Sequence, residues 1–302
     1  MTRFGDGASQ LRERLRSGKM LLAPGAYDGL TAKLIEAAGF EAVYMTGSGT
    51  SAALGLPDYG LATMSEMVDN AGRIVSSVKL PVIADADTGY GNALNTIRAL
   101  HAYERQGVAG IHIEDQASPK RCGHLDGKEL VSVEDFVAKI RAAVEQRINP
   151  DFVIIARSDA RGVQGFDAAV ERVNAALAAG ADMAFVEGLQ SIEELQRAPA
   201  MVRGPCVMNL VHGGKTPDIA LGEVERFGYR LTIVPGLLLK TMTAAAEEAL
   251  AKLRSGNAYP VPAHDISVVE GFRRVGSDYW DALSNRYRNA TPAPREPGEN
   301  QA

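Results

Sequence analysis

Apolar residues along this chain gather into eight short runs, at positions 20–24, 42–46, 81–86, 109–114, 152–157, 182–186, 206–210 and 231–235. Runs of this length read as strands, since a helix needs ten or more residues to bury a face. Between them the apolar residues fall at helical spacing instead. Leu30 to Ala38 is one such stretch, closed by Gly39, and Phe166 to Ala179 another, closed by Gly180; glycine readily takes the left-handed conformation at a helix end. The endings AAGFEAVYM, RQGVAGIHI and AAGADMAFV reuse one unit, a helix closing on Gly and turning straight into the next strand. Such alternation builds a parallel sheet, and eight strands is the count that closes it. The pattern therefore predicts an α/β fold, a (β/α)8 TIM-type barrel over residues 1–255.

Beyond the eighth strand the pattern changes. Ser255-Gly256-Asn257 and Pro260-Val261-Pro262 break the chain, and Ile266 to Tyr287 then reads as one amphipathic helix with Phe272, Val275, Tyr279, Trp280 and Leu283 on its apolar stripe. A stripe outside a complete barrel has to be covered, most simply by a neighbouring subunit. Residues 256–290 are thus expected to form a C-terminal helical extension for oligomerisation, and 291–302, with Pro292, Pro294 and Pro297, a disordered tail.

With 46% hydrophobic and 23% charged residues in a chain of 302, the composition is that of a soluble globular protein. The net charge of −5 comes without any Lys/Arg run, which argues against nucleic acid or an anionic membrane as partner. No apolar stretch reaches the ~18 residues of a membrane span. The opening Met1 to Asp6 lacks the apolar core of a signal peptide, so a cytoplasmic location is expected. Two cysteines in so long a chain make no disulfide framework, and Cys206, inside Pro205-Cys206-Val207-Met208, reads as core.

Working residues of such barrels sit at the C-terminal ends of strands. Here those ends carry Tyr44, Thr46, Gly47 and Ser48, then Asp85 and Asp87, Glu114, Arg157 and Asp159, Glu187, and Asn209. Asp85 and Asp87 are two apart, which on a strand puts both on one face. With Glu114 they form an all-oxygen set suited to Mg²⁺, or Mn²⁺; a hydrogen-bonded acidic pair at the rim is the plainer alternative. No His/Cys spacing for zinc is present. The turn Tyr44 to Gly49 offers N–H groups and hydroxyls to an anion. Arg157 suits bidentate binding of a substrate carboxylate, or else a structural ion pair with Asp159 or Glu187. Asn209 and the loop Gly213-Gly214-Lys215-Thr216-Pro217, with Gly214 and Thr216, read as further carboxylate contacts.

One loop stands apart: Lys120-Arg121-Cys122-Gly123-His124. A thiol flanked by two cations and a histidine occupies a setting that favours thiolate, although a small loop residue without a task is the plain reading. Metal, carboxylate binders and thiol together suit retro-aldol cleavage of a 2-hydroxy dicarboxylate, with Cys122 as the acid that protonates the departing carbanion. His124 and Arg121 would orient the thiol and Glu187 would be a supporting acid.

Five segments, TGSGTSAALGLPD (46–58), ADADTGYG (84–91), IHIEDQ with PKRCGH (111–124), IIARSDA (154–160) and NLVHGGKTP (209–217), resemble the isocitrate lyase and phosphoenolpyruvate mutase superfamily, in its small lyases of the methylisocitrate and dimethylmalate lyase kind. The resemblance runs over roughly residues 20–290 and implies metal service by Asp58, Asp85, Asp87 and Glu114, Cys122 as general acid, and a tetramer whose C-terminal helices are exchanged between barrels. The cysteine loop separates the chain from the phosphonate mutases. The GGKTP loop looks closer to dimethylmalate lyase, which implies cleavage of a 2,3-dimethylmalate-like substrate to pyruvate and a carboxylate. His212 departs from the acidic residue the pattern leads one to expect, and Leu54, Leu56, Leu210, Val234, Leu237 and Leu238 are candidates to receive a methyl-bearing substrate. The alternatives are 2-methylisocitrate cleavage to pyruvate and succinate, oxaloacetate hydrolysis or decarboxylation, and a non-catalytic dicarboxylate-binding barrel.

Overall fold

The computed structural model describes residues 6–256, 259–261 and 264–288. Eight parallel strands form a closed barrel in sequential order: β1 (Leu21–Ala26), β2 (Val43–Met45), β3 (Val82–Asp85), β4 (Gly110–Glu114), β5 (Val153–Ser158), β6 (Met183–Val186), β7 (Cys206–Asn209) and β8 (Leu231–Val234), which pairs back onto β1. All eight lie within a residue or two of the apolar runs.

Strand alternation divides the core into two layers. Leu21, Ala23, Tyr44, Ile83, Val153, Ile155, Met183, Phe185, Val207, Leu231 and Ile233 pack together as the barrel interior. Val43, Met45, Val82, Ala84, Ile111, Ile113, Ile154 and Ala156, one residue out of step, pack beneath the helices. Both faces of each strand are buried, which is why the sequence shows continuous apolar runs rather than alternation. Counting two residues on from Ile83, Ile155, Phe185 and Val207 reaches Asp85, Arg157, Glu187 and Asn209, and two on from His112, which packs between Tyr44 and Phe185 in the interior, lies Glu114. Apolar packing fixes the inward face, and the polar residues inherit it.

Helix ends follow local chemistry. Helix Gly29–Ala37 opens on Asp28, whose side chain accepts from the Thr31 N–H, and it gives way to Gly39 at φ 84°. Helix Phe166–Ala178 is followed by Gly180 at φ 104°.

By its contacts the chain divides into two compact units, Met1–Ala251 and Lys252–Ala302, and helix Leu237–Gly256 runs across the division. In the second unit the single helix expected over 266–287 is two, Val268–Arg274 and Ser277–Arg288, because Gly276 takes φ 95° and interrupts the backbone ladder. Val268, Val269, Phe272, Tyr279 and Trp280 are exposed on them. The expected tail at 291–302 lies outside the described residues. No helix among the described residues is long and apolar enough to cross a membrane.

Candidate active site

The floor of the site is a buried ionic shelf. On β5, Arg157 donates from Nε to Asp159 Oδ2 at 2.9 Å, with Glu114 Oε2 at 3.3 Å from Nε and Glu187 Oε2 at 3.5 Å from Nη2. Its guanidinium also lies over Phe185, 5.1 Å from the ring centroid. The structural pairing is thus realised with both suggested partners and with Glu114 as well. Asp159 is held in turn by Asp115, whose Oδ1 accepts the Asp159 N–H at 2.9 Å and whose Oδ2 accepts from Ser158 Oγ and Arg172 Nε, each at 2.6 Å. Asn209 Nδ2 donates to Glu187 Oε2 at 2.9 Å. Burial opposes charge on Glu187, but Arg157, His124, Asn209 and the Gly188 N–H outweigh it and lower its pKa.

The acidic cluster adjoins this shelf. Burial opposes ionisation of Asp85, yet His112, Lys120, Arg157 and the Asp87 N–H bring its pKa down to about 2. His112, pushed by burial to about 4, is neutral at pH 7, so the cationic share of that stabilisation falls to Lys120 and Arg157. Tyr44 Oη sits 2.8 Å from His112 Nε2 and 3.4 Å from Asp85 Oδ2. Asp87 does not share a strand face with Asp85: β3 ends at Asp85, and Asp87 stands at φ 46° in the following turn, its N–H bonded to Asp85 Oδ1 at 3.0 Å. Burial and the neighbouring charge of Asp85 raise Asp87 to about 6 against the pull of Lys120. Lys120 is paired with Asp58 and lies 2.9 Å from Asp87 Oδ1, near enough for an ion pair but not directed as a hydrogen bond.

Asp87 Oδ1 and both Glu114 oxygens are buried without hydrogen-bond partners. Orphaned carboxylate oxygens of this kind fit a hard cation. No three His, Cys, Asp or Glu side chains converge closely enough to ligate one ion among the described residues. The arrangement therefore suits an ion bound by one or two carboxylates and completed by water, as Mg²⁺ prefers.

Gly47 and Ser48 lie in the first turn of helix Gly47–Ala53 rather than in a free turn; Thr46 caps it by accepting the Gly49 N–H, and Ser48 Oγ is 3.0 Å from Thr46 Oγ1. A Cβ at Gly47 would stand 2.4 Å from Asp85 Oδ2, so the backbone approaches that carboxylate as only glycine permits.

The thiol loop folds over the shelf. A Cβ on Gly123 would stand 2.5 Å from Arg157 Nη2 and from Glu187 Cγ. His124 Nδ1 accepts the Lys215 N–H at 3.1 Å, and its Nε2 stands 3.3 Å from Glu187 Oε1. Gly214 passes so near that a Cβ there would be 2.6 Å from His124 Nδ1, and Thr216 is buried in the same loop. The GGKTP loop and the cysteine loop are thereby joined.

Three expectations change here. The cations do not serve the thiol: Lys120 turns to Asp58 and Asp87, and exposed Arg121 lies over the Tyr59 ring at 5.7 Å. Burial pushes the Cys122 thiol up, the His124 N–H and Arg157 oppose this, and Asp58 and Glu187 reinforce it; the loop favours thiol, not thiolate. His212 is exposed and bonded to Asp218 at 2.7 Å, away from the cluster. Of the apolar candidates, Leu210 and Leu238 pack against the core while Leu54 and Leu237 are exposed. Residues that the sequence reading did not single out are His112, Asp115, Lys128 and Arg172, all buried charged or polar groups.

The phosphoenolpyruvate phosphomutase family model matches residues 11–254. This chain belongs to that family. Within the wider superfamily it is similar to 2,3-dimethylmalate lyase of Eubacterium barkeri, 49% identical over 82% of this chain and 86% of the relative, and to 2-methylisocitrate lyase of Aeropyrum pernix, 44% identical over 80% and 78%. Among solved structures it is similar to oxaloacetate acetylhydrolase bound to 3,3-difluorooxalacetate (TM-score 0.91, 38% identity, 95% of this chain and 99% of the other). Phosphonopyruvate hydrolase in complex with oxalate and Mg²⁺ is also similar (TM-score 0.85, 32% identity, 93% and 99%). The chain is accordingly an enzyme of the phosphoenolpyruvate mutase and isocitrate lyase superfamily, of the carbon–carbon lyase kind.

Proposed function

We propose that the protein cleaves a substituted malate, 2,3-dimethylmalate or a close analogue, to pyruvate and a carboxylate. The observation that carries this reading is the Cys122 loop folded against the Arg157–Glu187 shelf beside the Asp85 cluster, where burial pushes the thiol towards its protonated form. The similarity to dimethylmalate lyase supports the substrate class.

A divalent metal, Mg²⁺ or Mn²⁺, would be held directly by one or two of Asp85, Asp87 and Glu114, with the remaining acids and Asp58 acting through water, and when bound would polarise the oxygens of the 2-hydroxy acid. Arg157 and Asn209, with Thr46, Ser48 and the Gly214 to Thr216 loop, bind and orient the carboxylates. The hydroxyl proton passes to the acidic cluster as the C2–C3 bond breaks, and its electron pair stays on C3. Cys122 Sγ delivers its proton to that carbanion, and the thiolate is reprotonated from the cluster or solvent. Glu187 fixes His124, and through it the two closed loops, and so acts by orientation; Arg121 has no part in this scheme. The closed loops exclude water from the carbanion.

2-Methylisocitrate cleavage is the second reading, favoured by the relative from Aeropyrum, and hydrolysis of oxaloacetate the third, favoured by the structural likeness to the acetylhydrolase. The exposed apolar side chains of the C-terminal unit support helix exchange in a homotetramer. Two free cysteines suit a cytoplasmic enzyme. Release of pyruvate from a panel of 2-substituted malates and 2-methylisocitrate, and of oxalate and acetate from oxaloacetate, each with Mg²⁺ and with EDTA, tests the proposal. Turnover confined to oxaloacetate, or none on any member, would overturn it.

A further inference from the structure

Lys128 is a buried lysine that the scheme above leaves without a task. It lies at the return of the excursion that leaves the barrel after β4. The root of that excursion is tied by the Gln116–Leu130 bridge and by the Ala117 N–H bonded to Glu129 O at 2.8 Å. From this fixed root the side chain reaches back under the loop tip, where Nζ donates to Gly123 O and, at 3.0 Å, to Leu125 O. On its other side Nζ is 3.9 Å from Asp159 Oδ1. A Cβ on Gly162 would come within 3.2 Å of Nζ, so the short helix after β5 is shaped to let the ammonium through.

These contacts bracket the thiol. The carbonyls of Gly123 and Leu125 lie one and three residues beyond Cys122, and the Leu125 N–H bonds Cys122 O at 2.9 Å. Asp159 is the same carboxylate that grips Arg157. A single ammonium thus joins the loop to the shelf, and its two carbonyl acceptors exist in this arrangement only while the loop is folded down. A hydrophobic side chain of equal length would fill the space without making that link.

We infer that Lys128 is a positioning residue for Cys122, fastening the loop that carries the thiol onto the Arg157–Asp159 shelf. The functional consequence rests on Cys122 being the proton donor; the fastening itself does not. The test is built to tell the two apart. Full-length wild type, Lys128→Met, Lys128→Gln and Lys128→Arg are alkylated with iodoacetamide, and modification of the Cys122 peptide is followed by mass spectrometry, with the Cys206 peptide as an internal control for global opening.

The expected result is that Lys128→Met and Lys128→Gln speed modification of Cys122 roughly tenfold or more, since charge-assisted bonds of this kind are each worth about that factor. Cys206 should stay protected and the melting temperature within a few degrees. Lys128→Arg, which keeps the charge and donors, should restore much of the slow rate. In steady state the two uncharged variants should lose kcat more than they raise KM for the malate substrate. An unchanged Cys122 rate in both uncharged variants would overturn the inference. Parallel acceleration at Cys206 would also overturn it, by showing a general loss of structure. If Cys122→Ser proved active while Lys128→Met still exposed the thiol, the fastening would stand and the acid assignment would fall.

Discussion

Lys120 Nζ lies 2.9 Å from Asp87 Oδ1, so an ammonium stands among the same acids that would receive a divalent ion. Asp85, Asp87, Glu114 and Asp58 all raise its pKa against burial, well above the ordinary lysine range, and it remains charged at any working pH. Lys120 and Arg157, the fixed cations here, are outnumbered by Asp58, Asp85, Asp87 and Glu114, and neither Glu114 oxygen is hydrogen-bonded. Dialysis against EDTA should therefore abolish pyruvate release, and Mg²⁺ or Mn²⁺ should restore it. Full turnover in excess chelator would remove the metal from the mechanism.

Cys122→Ser replaces a thiol by a hydroxyl of nearly the same size and far higher pKa. Proton delivery should slow by roughly 10²–10⁴-fold in kcat. Binding of oxalate or pyruvate, measured calorimetrically, should change little, because carboxylate recognition is assigned to Arg157, Asn209 and the Thr46 to Ser48 turn.

The thiol's own titration has a definite direction. Burial raises the Cys122 pKa above 9.0, so the fold favours the protonated form at neutral pH. Iodoacetamide, which reacts with thiolate, should modify Cys122 slowly at pH 7 and accelerate only as pH climbs beyond 9. A rate already at its plateau at pH 7 would mean a thiolate and would contradict the acid role.

Arg172 reaches from helix Phe166–Ala178 to Asp115, which holds Ser158 and Asp159 behind the Arg157–Glu187 shelf. Arg172→Met leaves a buried carboxylate without its cation and should lower stability by about 3–5 kcal/mol. Urea denaturation followed by circular dichroism measures this. A loss under about 1 kcal/mol would mean that Ser158 and the Asp159 N–H suffice.

Deleting residues 262–302 removes the exposed apolar face around Trp280. Light scattering should then report a smaller assembly than the full chain. An unchanged mass with normal folding would show that this segment does not build the oligomer.

The barrel could be read from the sequence because its strands are buried on both faces, and Asp85, Glu114, Arg157, Glu187 and Asn209 followed from their places at the C-terminal strand ends. Periodicity stops being informative where the strand stops. Asp87 was placed on a strand face but sits at positive φ in a turn. The partners of the buried cations are also out of reach of the sequence: Lys120 meets Asp58 from 62 positions away, and Arg172 meets Asp115 from 57. Neighbours in sequence suggest a cationic pocket around Cys122, whereas folding sends Lys120 to Asp58 and Asp87 and Arg121 to the Tyr59 ring, and leaves burial as the largest influence on the thiol. The break at Gly276 had a local signal, a glycine within the apolar stripe, that the helical spacing overrode.

Glu114 and Arg157 are partners in the ladder between β4 and β5, set by the same register that aligns Ile111 with Ile154 and Ile113 with Ala156. The machinery at the mouth is therefore as stable as the hydrogen bonding of the barrel itself, while the segments that cover it, around 117–128 and 211–217, hang from that frame. Transplanting the segment 211–217 from a relative with a different substrate should change what is admitted while leaving Glu114, Arg157 and Cys122 in place, which makes this scaffold suited to loop-swap engineering.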